Sequence, residues 1–229
     1  MTVTLVRGTR ARADFQLSPW SQILFEQWNA LTLGWVLGNP NSWTLYGGNY
    51  YSGPYSLQAG TWTGAPVQSK IWVNPAIAGN LKDGRIETYE WLASSDYHAP
   101  TLYFREQEYD PADPPVNCFQ VSWATASRVY LISYVNGVGT TRVNTIVSNP
   151  PPRDIWFKII LSWWSWTDIG GSVRLRVTHE HVVGTDKYLD FSVDIANPPF
   201  QDSDHNYAGM GLARIYPYLI DDTTVYRPV

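Results

Sequence analysis

Between Asp154 and Thr178 the chain reads D-I-W-F-K-I-I-L-S-W-W-S-W-T-D-I-G-G-S-V-R-L-R-V-T, two apolar-polar alternations on either side of the turn signal Thr167 to Gly171. A period of two on both arms with a Gly-rich turn between them predicts a β-hairpin. In the first arm Phe157, Ile159, Leu161 and Trp163 share one face, assigned to a core between two sheets. Lys158, Ile160, Ser162 and Trp164 share the other. In the second arm Val173, Leu175 and Val177 alternate with Ser172, Arg174 and Arg176, again one dry and one wet face.

The same pattern recurs along the chain. Thr2 to Val6 is a short strand signal, and residues 23–51 form a meander of short aromatic runs punctuated by Gly, Asn and Pro. Val67 to Val73, R-I-E-T-Y-E-W-L-A, T-L-Y-F-R-E, C-F-Q-V-S-W and R-V-Y-L-I-S-Y follow, the last ending at the hairpin signal Asn136-Gly137. Tyr188 to Ile195 sets Leu189, Phe191, Val193 and Ile195 against Asp190, Ser192 and Asp194. No long stretch carries the 3.6-residue period of an amphipathic helix. About a dozen strands at this spacing predict an all-β antiparallel sandwich.

Composition supports this reading. The 229 residues are 44% hydrophobic and 15% aromatic, with 12 Trp and 15 Tyr, enough for one large core and enriched in strand formers. Residues 1–20 are expected to form a basic N-terminal arm, with Arg7, Arg10 and Arg12 against Asp14, and residues 21–229 a single domain. The arm reads either as an edge strand with a loop or as a segment reaching a neighbouring subunit. A net charge of −4 gives no reason to expect nucleic acid except through that arm. The single Cys118 excludes an intramolecular disulfide framework and is read as a small buried residue. No secretory signal and no run near the roughly 20 apolar residues of a membrane span is present. The expectation is synthesis in the cytoplasm, with assembly into a virion or surface particle.

The order of motifs resembles a known family. F-E-Q-W-N, L-G-W, S-W-T-L and G-G-N-Y-Y are similar to the opening of concanavalin A-like, laminin G-like jelly-roll modules. D-G-R-I-E-T-Y-E-W, L-Y-F-R, F-Q-V-S-W, Y-V-N-G-V, W-F-K-I-I-L, V-R-L-R-V, A-G-M-G-L and I-D-D-T-T-V-Y follow in that family's order, covering residues 21–229. The resemblance implies two curved antiparallel sheets, often with glycan bound on the concave face or rim. It does not decide function, because this fold serves lectins, glycosidases, lyases and structural modules. In similar sandwiches a late acidic pair joins an early strand residue around a structural calcium. Here those positions are Asp221, Asp222 and Glu26, with turn capping by Asp as the alternative. No other cofactor is expected.

Catalysis finds little support in the residues. Retaining glycosidases hold two carboxyl groups about 5–5.5 Å apart, whereas Glu87 and Glu90 are three apart in one strand and point to opposite faces. The chain departs from the E-x-D-x-E pattern of this fold's glycosidases, and R-I-E at Arg85 to Glu87 has no lyase companion motif. His179-Glu180-His181 has a metal-compatible spacing without a third ligand and is read as surface histidines on an exposed strand.

The binding face is assigned to Trp164, Trp166, Tyr103, Arg105, Gln120, Lys158 and Arg174, expected together on the concave sheet. Aromatic faces stack on sugar C–H surfaces while Arg and Gln bond hydroxyls. The same residue types favour subunit contacts, and loops of the same chain could also cover them. Three functions follow in order: a non-catalytic structural or receptor- and glycan-recognising component of a virus particle or similar assembly, a stand-alone carbohydrate-binding module or lectin, and last a glycan-cleaving enzyme. The expected partners are copies of itself or other particle subunits, and glycans.

Overall fold

The computed structural model describes residues 20–28, 34–37, 43–59, 69–92, 98–107, 116–124, 127–202, 204, 206–212 and 218–229. The strand expected at Thr2 to Val6 and the arm residues Arg7, Arg10 and Arg12 lie outside them. Fifteen strands and one short helix are present among the described residues. They are β1 (Trp20–Glu26), β2 (Trp35–Leu37), β3 (Trp43–Tyr46), β4 (Ser56–Ala59), β5 (Ser69–Val73), α1 (Pro75–Ala78), β6 (Gly84–Leu92), β7 (His98–Glu106) and β8 (Cys118–Ala124). There follow β9 (Arg128–Val135), β10 (Val138–Ile146), β11 (Trp156–Thr167), β12 (Val173–Val183), β13 (Asp186–Ala196), β14 (Tyr207–Leu212) and β15 (Tyr218–Pro228).

These strands build two antiparallel sheets. An eight-stranded sheet runs β13-β12-β11-β6-β15-β4-β3, with β1 also paired to β15, and a seven-stranded sheet runs β10-β9-β8-β7-β14-β5-β2. The chain changes sheet after β1, β2, β4, β5, β6, β10, β13 and β14, so neighbours in sequence become opposite layers of one sandwich. The fold is the all-β concanavalin A-like jelly roll that the motif order implies.

The hairpin β11–β12 forms as the alternation predicts. Its turn closes through Asp168 N donating to Ser172 O and Gly171 N donating to Asp168 O, both at 2.9 Å. Phe157, Ile159, Leu161 and Trp163 all enter the core, together with Leu175 and Val177 of β12. Trp163 is wholly buried, and its Nε1 donates to Leu81 O at 3.1 Å. Its register partner is Gly84, where an added Cβ would come within 2.6 Å of the indole; only a residue without a side chain leaves that space. From the opposite sheet Phe104 stacks on Trp163 at 5.0 Å and on Phe119 at 5.1 Å, so the two layers interlock through aromatic rings. At the predicted Asn136-Gly137 turn both residues are left-handed, with φ of 51° and 77°, as a type I′ hairpin requires.

Bulges correct the sequence reading in two places. In β13, Phe191 pairs with His179 and Leu189 with Glu180, leaving Asp190 as an extra residue. That insertion turns Asp190 inward and Leu189 outward, 63% exposed, whereas the alternation sets Leu189 on one face with Phe191, Val193 and Ile195. The unbroken alternation of β12 carries His179 and His181 onto the buried face of Leu175 and Val177, and the β13 bulge supplies their partner. His179 and His181 are not surface residues but buried, each bonding Asp190 through Nδ1, at 2.8 and 2.7 Å. Trp123 lies edge-on to both rings. Burial alone would raise the Asp190 carboxyl, but the two imidazoles outweigh it and hold it below the usual range.

Candidate functional site

The residues expected on one binding face divide between the two sheets. Trp164, Trp166 and Lys158 of β11 and Arg174 of β12 occupy the outer face of the eight-stranded sheet, the side away from the core. Tyr103 and Gln120, register partners on β7 and β8, occupy the outer face of the seven-stranded sheet instead. There Tyr103 is fully buried. Lys70 Nζ lies 4.4 Å from its ring centre and pairs with Glu106 at 3.0 Å, while Trp72 Nε1 donates to Glu106 at 2.5 Å. This is a buried polar cluster rather than an open surface.

Arg105 departs furthest from expectation. A bulge opposite β14 places it at φ 52°, a conformation costly for a non-glycine residue, and removes its side chain from the face of Tyr103. The buried guanidinium donates to Asp83 Oδ1 at 2.8 Å, Ser165 Oγ at 2.9 Å, Lys82 O at 2.9 Å and Phe200 O at 3.4 Å. Its role is to join the sheets, not to meet ligand.

On the outer face of the eight-stranded sheet the side chains form a continuous polar and aromatic surface. Trp164 pairs with Arg176 across β11–β12, and Arg176 pairs with Asp194 on β13. The Arg176 guanidinium sits 5.9 Å from the Trp164 ring and 5.4 Å from the Trp166 ring, within cation–π range of both. Asp194 holds it with bonds of 2.6 and 2.7 Å, raising the affinity of the guanidinium for its proton. Arg174, opposite Trp166, pairs with Asp168 at 2.8 Å, and that contact lowers the Asp168 carboxyl.

Further along β11 the floor is made by Ser162 and Ile160, both buried and neither part of the core cluster. Their register partners on β6 are Arg85 and Glu87. Burial raises Glu87, but Lys158 and Arg85 outweigh it and keep it ionised below the ordinary carboxylate range. Arg85 Nε donates to it at 2.6 Å, and Lys158 makes a second ion pair. Glu90 lies on the opposite, core-facing side, opposite Phe157. The two glutamates therefore do not share a face, as their odd spacing predicts.

Beyond Lys158 stands an aromatic group that the strand pattern did not assign to binding. Tyr51 stacks on Tyr89 with ring centres 3.6 Å apart, and Trp156 meets Tyr51 edge-on at 6.2 Å. Burial and the neighbouring Tyr51 hold the Tyr89 phenol above its ordinary value, so it stays protonated. The signal in the sequence was compositional: residues 46–56 read Y-G-G-N-Y-Y-S-G-P-Y-S, without one charged or aliphatic side chain.

Glu26, Asp221 and Asp222 do not gather as a calcium cage. Asp221 Oδ2 accepts from Tyr51 N at 2.8 Å and Ser52 N at 3.0 Å, and its Oδ1 accepts from Asp222 N at 2.8 Å. Asp222 Oδ1 accepts from Ser52 Oγ at 2.5 Å, and Glu26 Oε1 from Trp28 N at 3.2 Å. Asp221 is the loop-capping residue of the alternative reading. Burial raises its carboxyl against the pull of those donors, and among the described residues no group of three or more His, Cys, Asp or Glu is placed to hold a metal. Cys118 is buried, as expected.

No family model and no curated protein sequence matches the chain. Solved structures do. An endo-β-1,4-glucuronan lyase from the fungus Trichoderma reesei is 11% identical, with a TM-score of 0.57 over 90% of this chain and 95% of that one. The alginate lyase vAL-1 from Chlorella virus is 9% identical, with a TM-score of 0.55 over 85% and 93%. The carbohydrate-binding module CBM66 from Bacillus subtilis is 16% identical over 86% and 93%, with a TM-score of 0.45. At these identities what the two lyases share with this chain is the jelly-roll sandwich.

Proposed function

We propose that this protein is a non-catalytic glycan-binding protein whose ligand lies on the outer face of the eight-stranded sheet. The observation that carries the reading is the group Trp164, Trp166 and Arg176: two partly exposed indoles flank a guanidinium oriented by Asp194. Indole faces receive the C–H side of a sugar ring, and the fixed guanidinium and carboxylate bond its hydroxyls. Non-catalysis is supported by the separation of Glu87 from Glu90 and by the locking of Glu87 between two cations. A glycan array on the wild type and Trp164→Ala tests the reading: binding that is lost in the variant supports it, and no binding overturns it. Since the fold is shared with lyases of glucuronan and alginate, those polymers are the cleavage controls. Product release from either would overturn the non-catalytic assignment.

A role as a virion or surface-particle subunit is the second reading. It is favoured by the exposed apolar side chains Val138 and Ile146 on β10 and Leu189 on β13, since β10 and β13 each end a sheet and unpaired edges invite pairing between copies. Sedimentation of the full chain tests it; a monomer at high concentration would sink it.

A further inference from the structure

The Tyr51–Tyr89–Trp156 group lies on the same outer face as the tryptophans but well removed from them. Tyr89 is the register partner of Lys158, six residues along β11 from Trp164, which at the rise of a strand is roughly 20 Å. We propose that this face takes an extended neutral polysaccharide chain that spans two aromatic platforms, Trp164 with Trp166 at one end and Tyr51 with Tyr89 at the other. The inference rests on the glycan-binding reading and adds the length and charge class of the ligand.

The second platform is preorganised. The Tyr51 backbone is tied to Asp221, Ser52 is tied to both Asp221 and Asp222, and Ser56 Oγ donates to Asn49 O at 2.7 Å. Trp156 Nε1 donates to Asn49 Oδ1 at 3.0 Å, which fixes the indole against the same loop. A tyrosine-rich, Gly/Ser/Asn-containing segment held in this way offers large rings at low ordering cost. Tyr51 is 46% exposed despite its stacking, so one side of the platform stays open.

Charge decides the ligand class. Each cation named on this face has a carboxylate partner: Arg85 and Lys158 share Glu87, Arg174 has Asp168 and Arg176 has Asp194. Four cations face three carboxylates, all of them ion-paired, so little unneutralised positive charge is left to hold a polyuronate. A neutral chain instead meets Arg85 and Lys158 as donors and Glu87 as acceptor beside the Ser162 and Ile160 floor between the platforms. A sugar too short to span that floor engages one platform only, whereas a chain reaching both gains the effective concentration of a tethered second contact.

The test is titration calorimetry with neutral gluco-, xylo- and manno-oligosaccharides from the monosaccharide to the hexasaccharide, beside alginate and glucuronan oligomers. Wild-type affinity for one neutral series should rise by roughly a hundredfold or more once the chain spans both platforms. Trp164→Ala and Tyr51→Ala, each confirmed folded by its thermal midpoint, should each return the hexasaccharide to the affinity of the short sugars. Binding that is independent of length, or a Tyr51→Ala protein that retains hexasaccharide affinity, overturns the two-platform inference while glycan binding stands. Preference for the uronate oligomers overturns the neutral class. Failure to bind any sugar overturns the glycan reading itself.

Discussion

Arg105 of the seven-stranded sheet reaches Asp83, which leads into β6 of the eight-stranded sheet, with Nη2 to Oδ1 at 2.8 Å and the guanidinium wholly buried. Asp83 also accepts from Ser165 N at 3.0 Å, so one carboxylate links β7, the start of β6 and β11. Removing one partner of a buried pair leaves an uncompensated charge. Asp83→Ala strands the wholly buried guanidinium and should cost about 3–5 kcal/mol, whereas Arg105→Met strands Asp83, whose side chain is 27% exposed and can be hydrated, and should cost less. Urea denaturation of both variants measures this; equal losses would mean that the charge pair is not what matters.

Trp163 and Trp164 provide a contrast within one dipeptide. Trp163→Ala empties core volume between Gly84 and Phe104 and should cost about 3–5 kcal/mol. Trp164→Ala takes a side chain from the outer face and should cost about 1 kcal/mol or less, while lowering hexasaccharide affinity to that of the short sugars. Should the stability losses fall the other way round, the register of β11 is off by one residue.

Asp190 gives the protein an acid-sensitive edge. Its native carboxyl lies below the ordinary value because His179 and His181 outweigh the effect of burial. A depressed native value contributes stability that is present above the unfolded value of about 4 and is lost as pH falls through the native one. Asp190→Asn should be less stable than the wild type at neutral pH, and the gap should close as pH falls from about 4. Thermal midpoints across that range check it, and a gap constant with pH would contradict the assignment of Asp190 as the carboxylate held by the two imidazoles.

Glu87 sets the charge preference of the proposed surface. Glu87→Gln leaves Arg85 and Lys158 without their shared counter-charge, so binding should move toward uronate-containing glycans and become more sensitive to salt. A glycan array at two salt concentrations would show it. Unchanged specificity would mean that the ligand does not pass over this part of β6.

The sequence alone determined which way side chains point wherever strands run regularly. Alternation placed Phe157 through Trp163 in the core with Trp164 outside, separated Glu87 from Glu90, and located the Asn136-Gly137 turn, because a pleated strand turns each side chain opposite to the last. Tertiary structure decided which sheet each strand joins. Tyr103 and Gln120 carry the same local pattern as Trp164, yet they lie in the other layer, since strand order depends on pairing between distant segments. It also decided where strands bulge. One extra residue opposite a partner strand turned Arg105 into a clamp between the sheets, and another brought Asp190 inward to meet two buried histidines. A bulge belongs to the register between two strands, so the period of either strand read by itself cannot reveal it.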